Sequence, residues 1–195
     1  MWCGTEKYYD KELRIISGTY KSRKIFSPNS EKGDKGSIRP TSDRARETIF
    51  DILVNRIDFD GINCLDLFAG TGAFGFESIS RGAGYCTFVD VYAKSTALID
   101  KTAQQLGTEE KIVIQKNDSI RYLKENGDYF EIIFADPPYG YENYEKLVNQ
   151  IFSKAFEYFI LETASNYTTE YDIKKFDLTE KKIGNSYFYI FRTIK

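Results

Sequence analysis

The 195-residue chain contains no histidine. That absence removes imidazole general bases, the usual catalytic triads and most zinc sites from consideration. Its three cysteines, Cys3, Cys64 and Cys86, are an odd number without C-x-x-C spacing. They read as free thiols, two of them inside apolar strand-like runs. The polar start M-W-C-G-T-E-K-Y-Y-D-K-E has no apolar segment behind it, and no apolar stretch is long enough to span a bilayer. A cytoplasmic protein, monomeric and without a membrane partner, is expected. Any chemistry must rest on carboxylates, hydroxyls, backbone groups or a bound cofactor.

What is present suits one ordinary core, with 42% hydrophobic and 16% aromatic residues. The net charge is −2, but Arg14 to Arg46 carry nine Lys/Arg against three acids, a local +6 that leaves −8 for the remainder. Such separation orients a polyanion toward the basic end, although a solvated lysine-rich segment explains the charge equally well. Residues 13–26, L-R-I-I-S-G-T-Y-K-S-R-K-I-F, read as two short strands around a turn, followed by a loop rich in Gly, Pro and Ser. We divide the chain into an N-terminal extension with basic hairpin and loop, 1–38, and a second unit, 39–195.

The second unit opens with R-P-T-S-D-R-A-R-E-T-I-F-D-I-L, where Ala45, Ile49, Ile52 and Leu53 follow helical spacing. From Cys64 strands and helices alternate: C-L-D-L-F, C-T-F-V-D, K-I-V-I-Q, E-I-I-F-A and E-Y-F-I-L-E, with helices through Arg81, over 93–106, near 119–125 and near 143–155. This order predicts a parallel sheet covered on both faces. Residues 174–182 and 186–193, joined at G-N-S, read as a hairpin closing one edge.

In L-D-L-F-A-G-T-G-A-F-G, Gly70, Gly72 and Gly75 satisfy G-x-G-x-x-G between a strand and a helix. Asp90 ends the next strand, where a carboxylate can accept hydrogen bonds from a ribose diol. Asp118 ends the third, where it could equally be a helix N-cap before Ser119. Together they favour an adenosine cofactor, either a dinucleotide or S-adenosylmethionine (SAM). The fourth strand leads into D-P-P-Y, Asp136 to Tyr139. A nucleobase amine is a poor nucleophile because its lone pair is delocalised. The Asp136 carboxylate and the Pro137 carbonyl can each accept one amine hydrogen, with Pro138 stiffening the loop and Tyr139 stacking on the base, worth ~1–3 kcal/mol. This points to methyl transfer, positioned rather than acid-catalysed.

Those residues carry a resemblance. L-D-L-F-A-G-T-G with D-P-P-Y is the pattern of SAM-dependent amino-methyltransferases. With R-I-I-S-G-T-Y-K-S-R-K-I and R-P-T-S-D-R-A-R-E-T-I-F-D-I-L the chain resembles the RsmD family of bacterial 16S ribosomal RNA guanine-N2 methyltransferases, from about Arg14 to the last strand. The resemblance implies an α/β class I methyltransferase (Rossmann-like) fold. Its sheet would be seven-stranded and mostly parallel, with an antiparallel edge strand and an N-terminal β-hairpin. SAM would be the donor and a guanine of 16S rRNA or a small-subunit particle the acceptor.

It also implies site roles. Asp66, Phe68, Ala69, Gly70, Thr71, Gly72, Asp90, Val91, Asp118 and Ser119 would hold the cofactor, and Asp136, Pro137, Pro138 and Tyr139 the amine. Arg39, Thr41, Asp43, Arg44, Arg46 and Glu47 match the arginine-rich helix start. Lys21, Arg23, Lys24, Arg39, Thr41, Arg44 and Arg46 are the candidate substrate contacts, the arginines of the helix start alternatively organising the SAM pocket or pairing with local acids. The chain departs from the family in Asp90 for Glu, Thr102 for Asn, and Gly184, Asn185 and Ser186 for a G-Q-V pattern. An adenine-N6 methyltransferase is the nearest alternative, and a nicotinamide oxidoreductase would share only the glycine loop.

Overall fold

The computed structural model describes residues 13–28, 43–138, 140–164 and 173–194. Five strands alternate with helices as the sequence pattern requires: β1 Asn63–Leu67, α2 Ala73–Ser80, β2 Tyr85–Asp90, α3 Ala93–Leu106, β3 Ile112–Lys116, α4 Ser119–Glu125, β4 Phe130–Ala135, α5 Tyr144–Phe152 and β5 Phe156–Thr163. They are preceded by α1 Asp43–Val54 and followed by β6 Phe176–Ile183 and β7 Ser186–Thr193. One seven-stranded sheet results, in the order β3-β2-β1-β4-β5-β7-β6. The strand that runs against its neighbours is β7, inserted between β5 and β6 and antiparallel to both. A two-residue turn at Gly184, whose φ is +61°, permits this tight β6–β7 reversal.

Side chains alternate between two cores, as the period of a strand dictates. Cys64, Cys86, Phe88, Ile132, Phe134, Ile160 and Ile190 face one way, against Ile49, Phe50 and Leu53 of α1, Phe76 and Ile79 of α2 and Ile99 of α3. Leu65, Leu67, Val89, Ile133, Phe159, Leu161 and Phe191 face the other, against Ile120 and Leu123 of α4 and Leu147, Val148 and Ile151 of α5. Strand β1 feeds toward β2 on one side, whereas β4, its other neighbour, feeds toward β5. The crevice where direction reverses lies above the carboxyl ends of β1 and β4, the place where open α/β sheets bind ligands.

The N-terminal hairpin is abbreviated. A single antiparallel bridge joins Arg14 to Lys24, extended by Ile15 N–H to Arg23 C=O at 3.0 Å and Ile25 N–H to Leu13 C=O at 2.9 Å. Leu13, Ile15 and Ile25 are buried in the α1–α2–α3 core, so the hairpin shares that core. Its turn rests on the C-terminal end of α2, where Thr19 N–H donates to Ser80 C=O at 2.7 Å. The approach is so close that a Cβ on Gly18 would lie 1.8 Å from the Ser80 carbonyl oxygen.

Candidate active site

The final register pair between β1 and β4 is Leu67 with Ala135. The glycine loop and the D-P-P segment therefore leave the sheet side by side. Phe68 takes φ +57°, Gly70 +56° and Gly72 +75°. Three left-handed residues among five fold the chain back at the strand end, and the non-glycine among them is in a conformation common at ligand sites. Gly75 serves a different need: a Cβ there would meet the Phe88 ring at 2.2 Å and the Cys86 sulfur at 2.6 Å, so only glycine lets α2 lie this close to β2.

Three carboxyl groups gather at this edge. Asp66 is 3% exposed and accepts the Gly75 N–H on Oδ2 at 3.0 Å. Burial drives its pKa well above the usual carboxylate range, and the charges of Asp136 and Asp90 add to that rise against the opposing Gly75 hydrogen bond. Asp90 accepts the Gly70 N–H on Oδ2 and the Tyr92 N–H on Oδ1, both at 2.8 Å. One acid thus ties the glycine loop to the start of the next loop, while each of its oxygens keeps a second lone pair. Asp118 is the N-cap of α4, accepting Arg121 N–H at 2.9 Å, so the capping role foreseen as an alternative is realised.

Around these acids lies apolar surface. Val91 and Tyr92 are 47% and 66% exposed directly after Asp90. Across the crevice the Phe68 and Tyr141 rings meet edge to face at 5.1 Å, and Tyr141 meets Tyr144 at 5.5 Å. Burial, then the charge of Asp118, pushes the Tyr141 hydroxyl upward. Tyr141 N–H donates to Pro138 C=O at 3.0 Å, closing the turn after the D-P-P segment. Ala69, Thr71 and Ser119 are buried within the loops, Pro137 is buried and Asp136 half-buried.

A cofactor with a cationic sulfonium and ammonium suits this edge, because clustered carboxyls supply negative field and the glycine loop brings backbone close. Asp90 has lone pairs for hydroxyl donors, and Val91 offers an apolar wall for a flat ring. The residues present fit SAM.

The candidate substrate contacts divide. Lys21, Arg23 and Arg44 are exposed and Lys24 is half-buried. Arg39, Thr41 and Tyr139 lie outside the described residues. Arg46 is corrected: its side chain is 0% exposed, donating to the Arg14 carbonyl and to Asp43 Oδ1 at 3.2 Å and lying 3.9 Å from Glu77 Oε2. It pairs with local acids and cannot reach a phosphate. Desolvation lowers its pKa against the opposing charges of Glu77 and Asp43.

Sequence reasoning passed over Glu77, the lone acid in the wholly buried helix A-F-G-F-E-S-I-S. Its oxygens accept Ile16 N–H at 2.8 Å, Ser17 N–H at 3.0 Å and Arg81 Nε at 2.9 Å. One carboxylate in an apolar octet was the available signal. Thr102, noted only as a departure, accepts Phe26 N–H at 3.1 Å and so fastens the hairpin to α3.

Comparison with known proteins agrees with this geometry. Residues 13–192 match the family described as conserved hypothetical protein 95. The "Ribosomal RNA small subunit methyltransferase D" of Haemophilus influenzae is 35% identical over 141 residues, 71% of this chain and 69% of that protein. Its Escherichia coli namesake is 34% identical over 139 residues, 71% and 66% of the two chains. Among solved structures, the yhhF protein of Escherichia coli superposes with a TM-score of 0.79 at 25% identity, covering 93% of this chain and 98% of its own. Magnesium protoporphyrin IX methyltransferase from Synechocystis, solved with bound SAM, shares the fold at a TM-score of 0.61 and 17% identity, covering 78% of each chain. The chain belongs to the family of the small-subunit ribosomal RNA methyltransferase D proteins, built on the class I methyltransferase fold.

Proposed function

We propose that this protein transfers a methyl group from SAM to the exocyclic N2 amine of a guanine in small-subunit ribosomal RNA. The observation that carries the reading is the Leu67–Ala135 register, which launches the glycine loop and the amine-binding loop from adjacent strand ends. Donor and acceptor would thereby meet in one crevice.

When bound, SAM supplies a methyl carbon already activated by positive sulfur. The chain's task is to bring a nucleophile in line with it, worth roughly 7–11 kcal/mol when both partners are held. Gly70, Thr71 and Gly72 present backbone to the cofactor, Asp90 receives its ribose hydroxyls, and Val91 with Asp118 and Ser119 flanks its base. Asp136 and the Pro137 carbonyl accept the two amine hydrogens, turning the nitrogen lone pair toward the methyl group. With SAM bound, methylation of the nitrogen would release one amine proton, and the Asp136 carboxylate would take it. Tyr139 stacks on the extruded base. Lys21, Arg23, Lys24, Arg39, Thr41 and Arg44 contact the RNA beyond that base.

No helix among the described residues is long and apolar enough to cross a membrane. We place the protein in the cytoplasm as a monomer acting on RNA or on the assembling particle. The test is methylation of small-subunit particles and of free RNA with labelled SAM, followed by nucleoside analysis. N2-methylguanosine is expected. N6-methyladenosine would overturn the guanine assignment, and label in neither RNA would overturn the reading.

A further inference from the structure

The hairpin turn and the catalytic crevice lie at opposite ends of the sheet. α2 and α3 start at the carboxyl edge and run away from it, and the turn is seated where they end: Thr19 on Ser80, and Arg23 Nη2 donating to the Gln105 carbonyl at 3.3 Å. Contacts made by Lys21 and Arg23 would be remote from a base in the crevice, since α3 alone is 14 residues, ~21 Å long. RNA held at both places needs a path between them.

The chain leaving the turn traces that path. Gln105 Nε2 donates to Lys24 C=O at 3.0 Å, and Phe26 N–H donates to Thr102 Oγ1 at 3.1 Å. As the chain advances from 24 to 26 its partners retreat from 105 to 102, so it climbs α3 toward the carboxyl edge. Along this seam the half-buried Phe26 ring gathers two ammonium groups, Lys24 Nζ at 5.9 Å and Lys101 Nζ at 4.2 Å from its centroid. Each is drawn to the ring, so two positive charges are gathered on one side of α3. Lys94, exposed in the first turn of α3, is seven residues before Lys101. It therefore shares that face about two turns, ~10 Å, nearer the crevice. Asp100 lies about 100° around the helix from Lys101 and is engaged by Gln104 Nε2 at 2.8 Å. Past α3 the surface turns acidic at Glu109 and Glu110, which ends the path at the hairpin turn.

We propose that Lys94, Lys101, Lys24 and Arg23 form a continuous track along α3, passing Phe26, that binds the RNA backbone between the crevice and the hairpin turn; this rests on the reading of the protein as an RNA methyltransferase. The α3 lysines were outside every motif in the sequence. Only the docking of the hairpin joins them to the N-terminal basic cluster.

The experiment measures affinity for a fluorescein-labelled single-stranded RNA 20-mer against salt, for wild type, for Lys94→Ala/Lys101→Ala, and for Lys181→Ala/Lys182→Ala on the far edge strand as an equal-charge control. Each lost phosphate contact flattens the log–log salt slope by about 0.7, so the α3 variant should lose about 1.4 and the control nothing. SAM affinity should match wild type in both, and thermal unfolding should fall by no more than the one exposed cation–π contact that each variant loses, Lys101 on Phe26 and Lys182 on Tyr187. With particles as substrate, the α3 variant should raise KM and keep kcat. An unchanged slope in the α3 variant, or an equal fall in the control, overturns the track while leaving methylation intact. Wild-type protein without salt-dependent RNA affinity removes the track and the RNA reading together.

Discussion

The carboxyl edge of the sheet and its hairpin end both bury polar groups, but they do so to different effect. At the hairpin end the partners are internal: Glu77 takes two backbone amides and Arg81, while Arg46 takes the Arg14 carbonyl and Asp43. Such a network fixes how the N-terminal segment sits on α2. At the carboxyl edge the acids hold their own loops yet retain lone pairs, Asp66 is pushed toward its neutral form, and Phe68 keeps a left-handed backbone. Polar groups that pair with one another across the chain mark the scaffold, and acids at strand ends with acceptor capacity to spare, beside a strained loop, mark the place where a ligand is received.

Glu77→Ala should break the scaffold end most severely. It strands Arg46, whose Nε and Nη1 already have no hydrogen-bond partner, together with the Ile16 and Ser17 amides. Removing one partner of a buried ion pair costs ~3–5 kcal/mol, to be read from denaturant unfolding. A loss under 1 kcal/mol would mean the network is ornamental.

Asp90→Ala moves the same question to the other end. It should weaken SAM by about 1–3 kcal/mol, roughly 5- to 150-fold, by calorimetry, because the ribose hydroxyls and the Gly70 and Tyr92 amides lose their acceptor. Unchanged affinity would dissociate Asp90 from the cofactor.

Asp66→Asn sharpens the contrast between stability and function. The Asp66 pKa is raised in the fold, so the folded state holds its proton more tightly and stability declines as pH climbs above the unfolded value of about 3.9. The variant lacks that decline. Its thermal stability relative to wild type should improve as pH is taken from 4 toward the folded pKa, while its SAM affinity stays within a few-fold of wild type because the amide matches the neutral acid. A pH-independent difference would contradict the raised pKa. The smallest effect concerns Cys64, whose thiol burial pushes up to about 12. It should resist alkylation in the native protein and react on unfolding, followed by mass spectrometry.

Periodicity and turn chemistry made most of the fold legible: α4 begins and ends at 119 and 125 as its pattern requires, and Gly107 stops α3 with φ +68°. The crevice was legible because its chemistry sits in contiguous motifs at strand ends. Arg46, Glu77 and Thr102 were not, since their roles depend on contacts of 32 to 76 residues' separation, Arg46 with Arg14, Glu77 with Ile16 and Thr102 with Phe26. A basic residue in a basic motif looks like a ligand contact until the fold shows it with no exposed surface. Tyr141 was missed for a related reason. Its link to Phe68 crosses two loops, and nothing in the local sequence distinguishes it from the other tyrosines nearby.

The central claim is that the crevice separates a donor side, held by β1 and β2, from an acceptor side, held by the loop after β4. Asp136→Ala tests it most directly, with SAM affinity by calorimetry and turnover on small-subunit particles measured on the same preparation. The account predicts turnover reduced by on the order of 10²–10³ or more with SAM affinity within a few-fold of wild type. Parallel loss of SAM affinity, or turnover that survives, would contradict it.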